Sequence, residues 1–112
     1  DDAFRSLQRG ERVTDGVPDT ICDGLRATLG APNFALLREH HVTVVTADDA
    51  ETLAAMRRIW TELKQTVEPS SALVLAALLR HRERFRGKRV GLVLTGGNVD
   101  LDALPFLARQ SA

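Results

Sequence analysis

The chain has 112 residues, the size of one small domain, and 44% of them are hydrophobic, enough for a packed core. The 15 basic and 15 acidic residues give a formal net charge of zero, so no electrostatic attraction to nucleic acid or an anionic membrane is expected. No apolar run approaches the roughly 20 residues that a membrane-spanning helix needs. Cys22 is the single cysteine, which excludes an intrachain disulfide and is typical of a reducing cytoplasm. Because the chain begins at Asp1 without a methionine, we expect a processed product or a piece of a longer polypeptide.

The first third of the chain predicts three short helices. Residues 2–10 form the first, with Phe4 and Leu7 on one side and Gly10 as the stop. Residues 11–18 are rich in turn-forming residues, although 12–14 is compatible with a short strand. Residues 20–29 predict the second helix, which ends at a glycine, and residues 32–40 predict the third.

The middle of the chain predicts a strand followed by a long helix. Residues 41–46 hold three valines, as is typical of a β-strand. Asp48 with Glu51 three residues later resembles a helix start, and apolar residues follow at helical spacing as far as Val67. We expect Met56 and Trp60 on this amphipathic helix to lie in the core.

Pro69 must end that helix and can open another, which the sequence predicts to run to about Arg82. Residues 72–79 are apolar on nearly every side, so this helix is expected to be deeply buried. Residues 89–94 form an almost continuous apolar run, typical of a parallel strand covered on both faces. Asp100 is expected to cap a final short helix.

This order of elements predicts the α/β fold class. Two or three strands make a thin sheet, yet two segments are patterned for burial on all sides. We therefore expect the partner that covers them to lie outside these 112 residues.

Three segments are candidates for chemistry. Thr95-Gly96-Gly97-Asn98 follows a predicted strand, where α/β proteins bind ligands, but the same residues suit a tight turn. Glu68 stands at the junction of two apolar helices, where helix capping and function both remain open. The segment 20–24, which ends in Gly24, is by itself more typical of a helix start.

Together these segments resemble three successive landmarks of one enzyme family. The landmarks are Thr20-Ile21-Cys22-Asp23-Gly24, Val67-Glu68-Pro69-Ser70-Ser71-Ala72 and Leu94-Thr95-Gly96-Gly97-Asn98-Val99-Asp100-Leu101. They stand in the order found in the pyridoxal-phosphate (PLP)-dependent threonine/serine dehydratase and serine racemase family. Asp1-Asp2-Ala3, followed by Arg5-Ser6-Leu7, resembles the family just after its metal-binding segment. The chain departs from the family pattern at Cys22, where Ala is usual, Ser71, where Gly is common, and Thr95, where Ser is typical.

The resemblance implies a PLP enzyme of fold type II, with residues 1–112 as its C-terminal portion. That portion would belong mainly to the larger cofactor-binding domain, a three-layer αβα structure with a mainly parallel sheet. Thr95 would face the pyridine nitrogen of PLP, while Glu68 and Gly24 would lie near the ring and the substrate. Asp2 would be one ligand of a divalent cation, Mg²⁺ or Ca²⁺, whose other ligands lie upstream.

The implied activity is an ammonia-lyase reaction that converts L-threonine or L-serine to a 2-oxo acid and ammonia. Serine racemase is the alternative within the family, and a non-catalytic interaction module is the alternative outside it. Neither Lys64 nor Lys88 resembles the family's cofactor-binding lysine, and the phosphate-binding glycine loop is absent from the sequence. We therefore expect this chain alone to be inactive, to need an N-terminal portion as partner, and to act in the cytoplasm as part of a homodimer.

Overall fold

The computed structural model describes residues 1–107, which form a helical framework joined by long connecting segments. Its α-helices are α1 (Asp2–Arg9), α2 (Ala31–Glu39), α3 (Asp49–Arg58), α4 (Pro69–Arg80) and α5 (Arg82–Phe85). Short 3₁₀ turns occur at Asp23–Leu25 and Leu101–Ala103, and a π-helical turn at Ile59–Leu63 follows α3. Helix α1 lies against α2, and α3 packs against α4.

The core lies between α3 and α4. Met56, Ile59, Val67 and Ala72 are each at most 3% exposed and form one apolar cluster. The Trp60 ring packs on this cluster and meets Phe106 edge-to-face, with 5.4 Å between ring centroids. The prediction that Met56 and Trp60 belong to the core is confirmed.

The start of α3 is fixed by a reciprocal capping box, as the sequence predicts. Asp48 accepts the backbone N–H of Glu51, and the Glu51 carboxylate accepts the backbone N–H of Asp48. These two bonds satisfy N–H groups that a helix start otherwise leaves without partners.

The predicted continuous helix to Val67 is wrong at its C-terminal end. The α-helix stops at Arg58, continues as the π-helical turn, and ends where Lys64 adopts a left-handed backbone with φ of 55°. The chain then turns back so that the Trp60 indole N–H donates to the Val67 carbonyl at 2.9 Å. Val67 thus reaches the core from outside the helix.

The helices expected near residues 2–10 and 32–40 are confirmed as α1 and α2. The helix predicted over 20–29 is wrong, since only Asp23–Leu25 forms a 3₁₀ turn. Local side chains compete for the backbone: Thr20 accepts the Cys22 N–H, and Asp23 accepts the Gly24 N–H. The short helix expected after Asp100 is confirmed as the turn Leu101–Ala103.

Residues 41–46 and 89–94 are not paired as strands, and neither is the rest of the described range 1–107. A β-strand is defined by its ladder of hydrogen bonds to a neighbouring strand, and residues 1–107 contain no strand that could pair with either segment. Val90, Leu92, Val93 and Leu94 are consequently 36–72% exposed.

Helix α4 opens at Pro69 as predicted but ends at Arg80. It buries one face, through Ser71, Ala72 and Ala76, whereas Leu79 is 43% exposed. Within residues 1–107 the helix is thus buried on one face only, and coverage of its other side by a partner outside this chain stays a prediction. None of the helices within 1–107 has the length and apolar character needed to cross a membrane.

Candidate functional site

The first turn of α4 brings together the three candidate segments of the sequence. Three side chains at its start, Glu68, Ser70 and Ser71, each accept a backbone N–H from a distant part of the chain. Their partners are Asn98, Gly24 and Thr95. We call these six residues the α4 cluster. Three of the predicted site residues, Thr95, Glu68 and Gly24, are therefore neighbours in space.

Glu68 holds the glycine-containing turn through both its backbone and its side chain. Its N–H donates to the Gly96 carbonyl at 2.9 Å, and its carboxylate accepts the Asn98 N–H at 2.9 Å. Since Glu68 is half-buried, the N–H of Asn98 supplies a polar partner that a carboxylate in this setting requires. The Glu68 carboxylate orders the turn that carries Thr95.

Close packing leaves little room for a side chain at either glycine of the turn, most strictly at Gly97, which faces backbone atoms. A Cβ on Gly96 would lie 2.8 Å from the Glu68 carboxylate carbon, and one on Gly97 would lie 2.6 Å from the Thr66 carbonyl oxygen. Neither glycine has a left-handed backbone, so the space available for a side chain, and not the backbone dihedral angles, limits these positions. The space beside them is filled by the segment that leads into α4.

No role was predicted for Ser70 or Ser71, yet their hydroxyls hold two of the candidate segments to α4. The Ser71 hydroxyl is 1% exposed and accepts the Thr95 N–H at 3.0 Å. The Ser70 hydroxyl accepts the Gly24 N–H at 3.1 Å. The departure from Gly at position 71 was the available signal, because a buried hydroxyl needs a partner.

Thr95 itself is exposed, with its backbone held and its side chain at the surface of the described residues. Its hydroxyl offers one donor and two acceptor positions without a formal charge. A neutral donor on a backbone held next to Glu68 and two glycines is suited to bind the polar edge of a ligand.

The Gly24 segment is anchored on its other side by Asp49, at the start of α3. The Asp49 carboxylate accepts the Thr20 hydroxyl at 2.6 Å and the Ile21 N–H at 3.0 Å. Next to them Cys22 is only 2% exposed. Burial raises the pKa of the Cys22 thiol, and the nearby carboxylates of Asp49 and Asp23 add to the rise despite the bond to Thr20. A thiol in this environment is a packing residue and a poor nucleophile.

Asp2 lies apart from the α4 cluster. Its carboxylate accepts the Leu29 N–H at 2.7 Å. The described residues contain no group of three or more His, Cys, Asp or Glu side chains able to hold a metal ion. The metal-binding role of Asp2 stays a prediction.

An open cavity of about 740 Å³ lies between α1, the segment around Gly24, the segment that precedes α3, and Leu73 of α4. Asp2 and Gly24 both line it, whereas Thr95 and Glu68 do not. The cavity therefore adjoins the α4 cluster through Gly24 alone among the predicted site residues.

Comparison with known proteins identifies the class to which this arrangement belongs. The profile of the family described as pyridoxal-phosphate dependent enzyme matches residues 1–96. The chain is a member of this family, and PLP is the cofactor of the family.

The chain is also similar to individual enzymes of this family. The chain is 46% identical over 106 residues to a β-hydroxyaspartate dehydratase of Paracoccus denitrificans, covering 95% of this chain and 34% of the relative. It is 40% identical over 108 residues to a serine racemase of Dictyostelium discoideum, covering 93% of this chain and 33% of the relative. The chain spans about a third of the length of the curated relatives it matches.

Solved structures of PLP enzymes resemble this chain as well. A threonine deaminase from T.th. superposes with a TM-score of 0.83 at 41% identity, covering 89% of this chain and 37% of that one. Maize serine racemase gives a TM-score of 0.84 at 36% identity, covering 92% and 33%. These neighbours are PLP enzymes of fold type II, which is consistent with the predicted α/β class.

The chemistry of the α4 cluster fits this cofactor in part. An uncharged hydroxyl at Thr95, on a backbone fixed by Ser71, suits a heterocyclic nitrogen that accepts a hydrogen bond. The α4 cluster contains neither a lysine that could bond to the cofactor nor a glycine loop that could bind its phosphate. The Lys64 ammonium donates to the Thr61 carbonyl within its own turn, and Lys88 is exposed.

Proposed function

We propose that this chain is the C-terminal portion of a PLP-dependent enzyme that removes water from a β-hydroxy amino acid. The overall reaction takes the α-proton and the β-hydroxyl from the substrate as water, and hydrolysis then gives a 2-oxo acid and ammonia. When bound, PLP withdraws electrons from the α-carbon. The observation that carries the proposal is Thr95, whose amide is held by the first turn of α4 beside Glu68 and the glycine turn.

Thr95 would donate its hydroxyl proton as a hydrogen bond to the pyridine nitrogen. A neutral donor holds that nitrogen without protonating it, so the ring withdraws electrons less strongly than it would beside a carboxylate. This weaker withdrawal favours prompt loss of the β-hydroxyl over side reactions such as transamination. Glu68 and Gly24 would lie near the ring and the substrate, Glu68 as the residue that orders the turn carrying Thr95.

L-Threonine and L-serine are the substrates we propose from the sequence. The relatives named for hydroxyaspartate add a third candidate, because such a compound carries the same β-hydroxyl with a second carboxylate. Racemisation of serine is the second candidate function, supported by the relatives named serine racemase.

The lysine and the phosphate-binding loop would come from an N-terminal portion. We propose that this portion also completes a three-layer αβα domain by pairing with residues 41–46 and 89–94. The exposure of the apolar residues Val90, Leu92 and Val93 supports this, since burying them would contribute roughly 25 cal/mol per Å². Homodimer formation, a cytoplasmic location and a Mg²⁺ or Ca²⁺ ion at Asp2 belong to the same proposal.

The test uses the polypeptide that joins this chain to its N-terminal portion. Its absorbance spectrum reports bound PLP, and ammonia release is measured with L-threonine, L-serine and 3-hydroxyaspartate, while formation of D-serine is followed separately. The variant Thr95→Asp should lose elimination more than it loses cofactor, whereas the matched variant Thr95→Ser should retain both. Full elimination activity in T95D would contradict the role of Thr95. If the unmodified protein shows no absorbance band of bound PLP, the proposal of a PLP-dependent enzyme is rejected and a non-catalytic interaction module is favoured.

A further inference from the structure

Ser71 occupies an unusual position between the core and the proposed cofactor face. It lies in the first turn of α4 with its side chain 1% exposed, next to Ala72 of the apolar core cluster. Its hydroxyl accepts the backbone N–H of Thr95 at 3.0 Å. The buried Ser71 hydroxyl, at the edge of the core, therefore directly holds the backbone of Thr95, whose own side chain is exposed.

The bond from Ser71 starts a short series of contacts along the turn. After Thr95, the carbonyl of Gly96 accepts the Glu68 N–H, and the N–H of Asn98 donates to the Glu68 carboxylate. Before Thr95, residues 89–94 make no strand pairing within the described range. Ser71 thus holds the amide at the point where the chain passes from an unpaired segment into the ordered turn.

We propose that Ser71 is a positioning residue that sets the direction of the Thr95 hydroxyl; this inference rests on the proposed function. The Cα–Cβ direction of Thr95 depends on the orientation of its peptide plane together with the rotation about its N–Cα bond, and the Ser71 hydroxyl holds that plane. An alanine or glycine at position 71 leaves the Thr95 N–H to water. The Thr95 side chain then samples directions in which its hydroxyl misses a nitrogen acceptor, since hydrogen bonds weaken steeply with misalignment.

The test compares Ser71→Ala with Ser71→Thr in the polypeptide that includes the N-terminal portion. Ser71→Thr keeps the hydroxyl, and Ser70→Ala removes the neighbouring hydroxyl that serves Gly24 instead. Four quantities are measured: the exchange rate of the Thr95 amide hydrogen, the ¹⁵N resonance of the pyridine nitrogen in labelled PLP, kcat and KM. Because Ser71 is nearly inaccessible, Ser71→Gly provides a second deletion of the hydroxyl with less side chain to repack.

In S71A the Thr95 amide should exchange about fivefold faster, the effect expected from the loss of one ordinary hydrogen bond. The pyridine ¹⁵N resonance should shift toward that of a nitrogen without a donor, and kcat should fall while KM changes little. S71T, which keeps the hydroxyl, should leave all four quantities close to those of the unmodified protein. S70A should leave the Thr95 amide exchanging at its original rate.

An unchanged Thr95 exchange rate in both S71A and S71G would overturn the inference. Faster exchange with an unchanged resonance and an unchanged kcat would overturn it equally, since Ser71 would then be structural only. These outcomes are distinguishable from failure of the proposed function, because that failure is read in the unmodified protein as an absence of bound PLP.

Discussion

Replacing Gly97 with alanine should destabilise the folded chain by blocking the approach of two backbone segments. The added Cβ would lie 2.6 Å from the Thr66 carbonyl oxygen and 3.4 Å from its carbon. These are backbone atoms, which cannot rotate away as the end of a long side chain can, so the turn must move as a unit. That movement strains the bond from the Glu68 N–H to the Gly96 carbonyl.

The expected cost follows from two contributions. Overpacking of a tight contact costs roughly 1–3 kcal/mol, and weakening one hydrogen bond costs on the order of 1 kcal/mol. The sum is about 2–4 kcal/mol. With a urea dependence of roughly 1–3 kcal/mol per molar, the unfolding midpoint should fall by on the order of 1 M.

Gly91→Ala is the matched control, because a Cβ there meets nothing within 4 Å and its backbone is not left-handed. The control should be neutral, or more stable by roughly 0.4–1 kcal/mol through the restricted unfolded chain. Unfolding is followed in urea by the fluorescence of Trp60, the single tryptophan. Equal midpoints for G97A and G91A would refute the argument, since the turn would then move away from Thr66 at no cost.

Three further predictions concern other parts of the chain. The N–H of Asp48 and the guanidinium of Arg80 hold the pKa of the Glu51 carboxyl below its ordinary value of 4.5, so its stabilising contribution is present above pH 4.5 and is lost as the pH falls through the lower folded value. Glu51→Gln should therefore reduce the loss of stability between pH 6 and pH 3 in urea unfolding, and an unchanged loss would contradict this. Asp49→Asn should speed alkylation of the Cys22 thiol on the order of tenfold, because it weakens the charge-assisted bonds that hold Thr20 and Ile21 over the thiol. Mass spectrometry measures the alkylation rate, and equal rates would show that Asp49 does not hold this segment closed. Trp60→Phe should keep the aromatic packing but lose the indole N–H bond to the Val67 carbonyl, lowering the free energy of unfolding by about 1 kcal/mol. Because this variant has no tryptophan, its urea unfolding is followed by far-ultraviolet circular dichroism alongside the unmodified chain, and equal stability would mean that the bond contributes nothing.

The sequence predicted those elements whose determinants are local. The capping pair at Asp48 and Glu51 identified the start of α3, and Pro69 identified the start of α4. The helix over 20–29 failed for a local reason as well, since the side chain of Thr20 competes for the backbone. The two strands depend on a neighbouring strand, which no pattern within the segments themselves can supply.

The proximity of the candidate residues was predicted only through the family resemblance. Glu68 and Thr95 stand 27 positions apart in the printed sequence, and nothing in either segment names the other as its partner. The contacts that join their segments all use backbone N–H groups, which donate to a carbonyl or to a side chain, and every non-proline residue carries such a group. Ser71 shows the consequence: its type departs from the family pattern, but only the structure reveals that its hydroxyl meets the amide of Thr95.

The dependence of the α4 cluster on one helical turn bears on the order in which the chain folds. Its hydrogen bonds close loops of 46 residues to Gly24, 24 to Thr95 and 30 to Asn98. Closing such loops lowers the entropy of the chain before the hydrogen bonds can form and offset that loss. Contacts between residues distant in sequence therefore form slowly. Helices α3 and α4 are near neighbours along the chain, so we expect them to pair first and to offer the finished turn as a template. The candidate site would then be among the last parts to form and the first to open, which makes it more sensitive to core mutations than its surface position suggests.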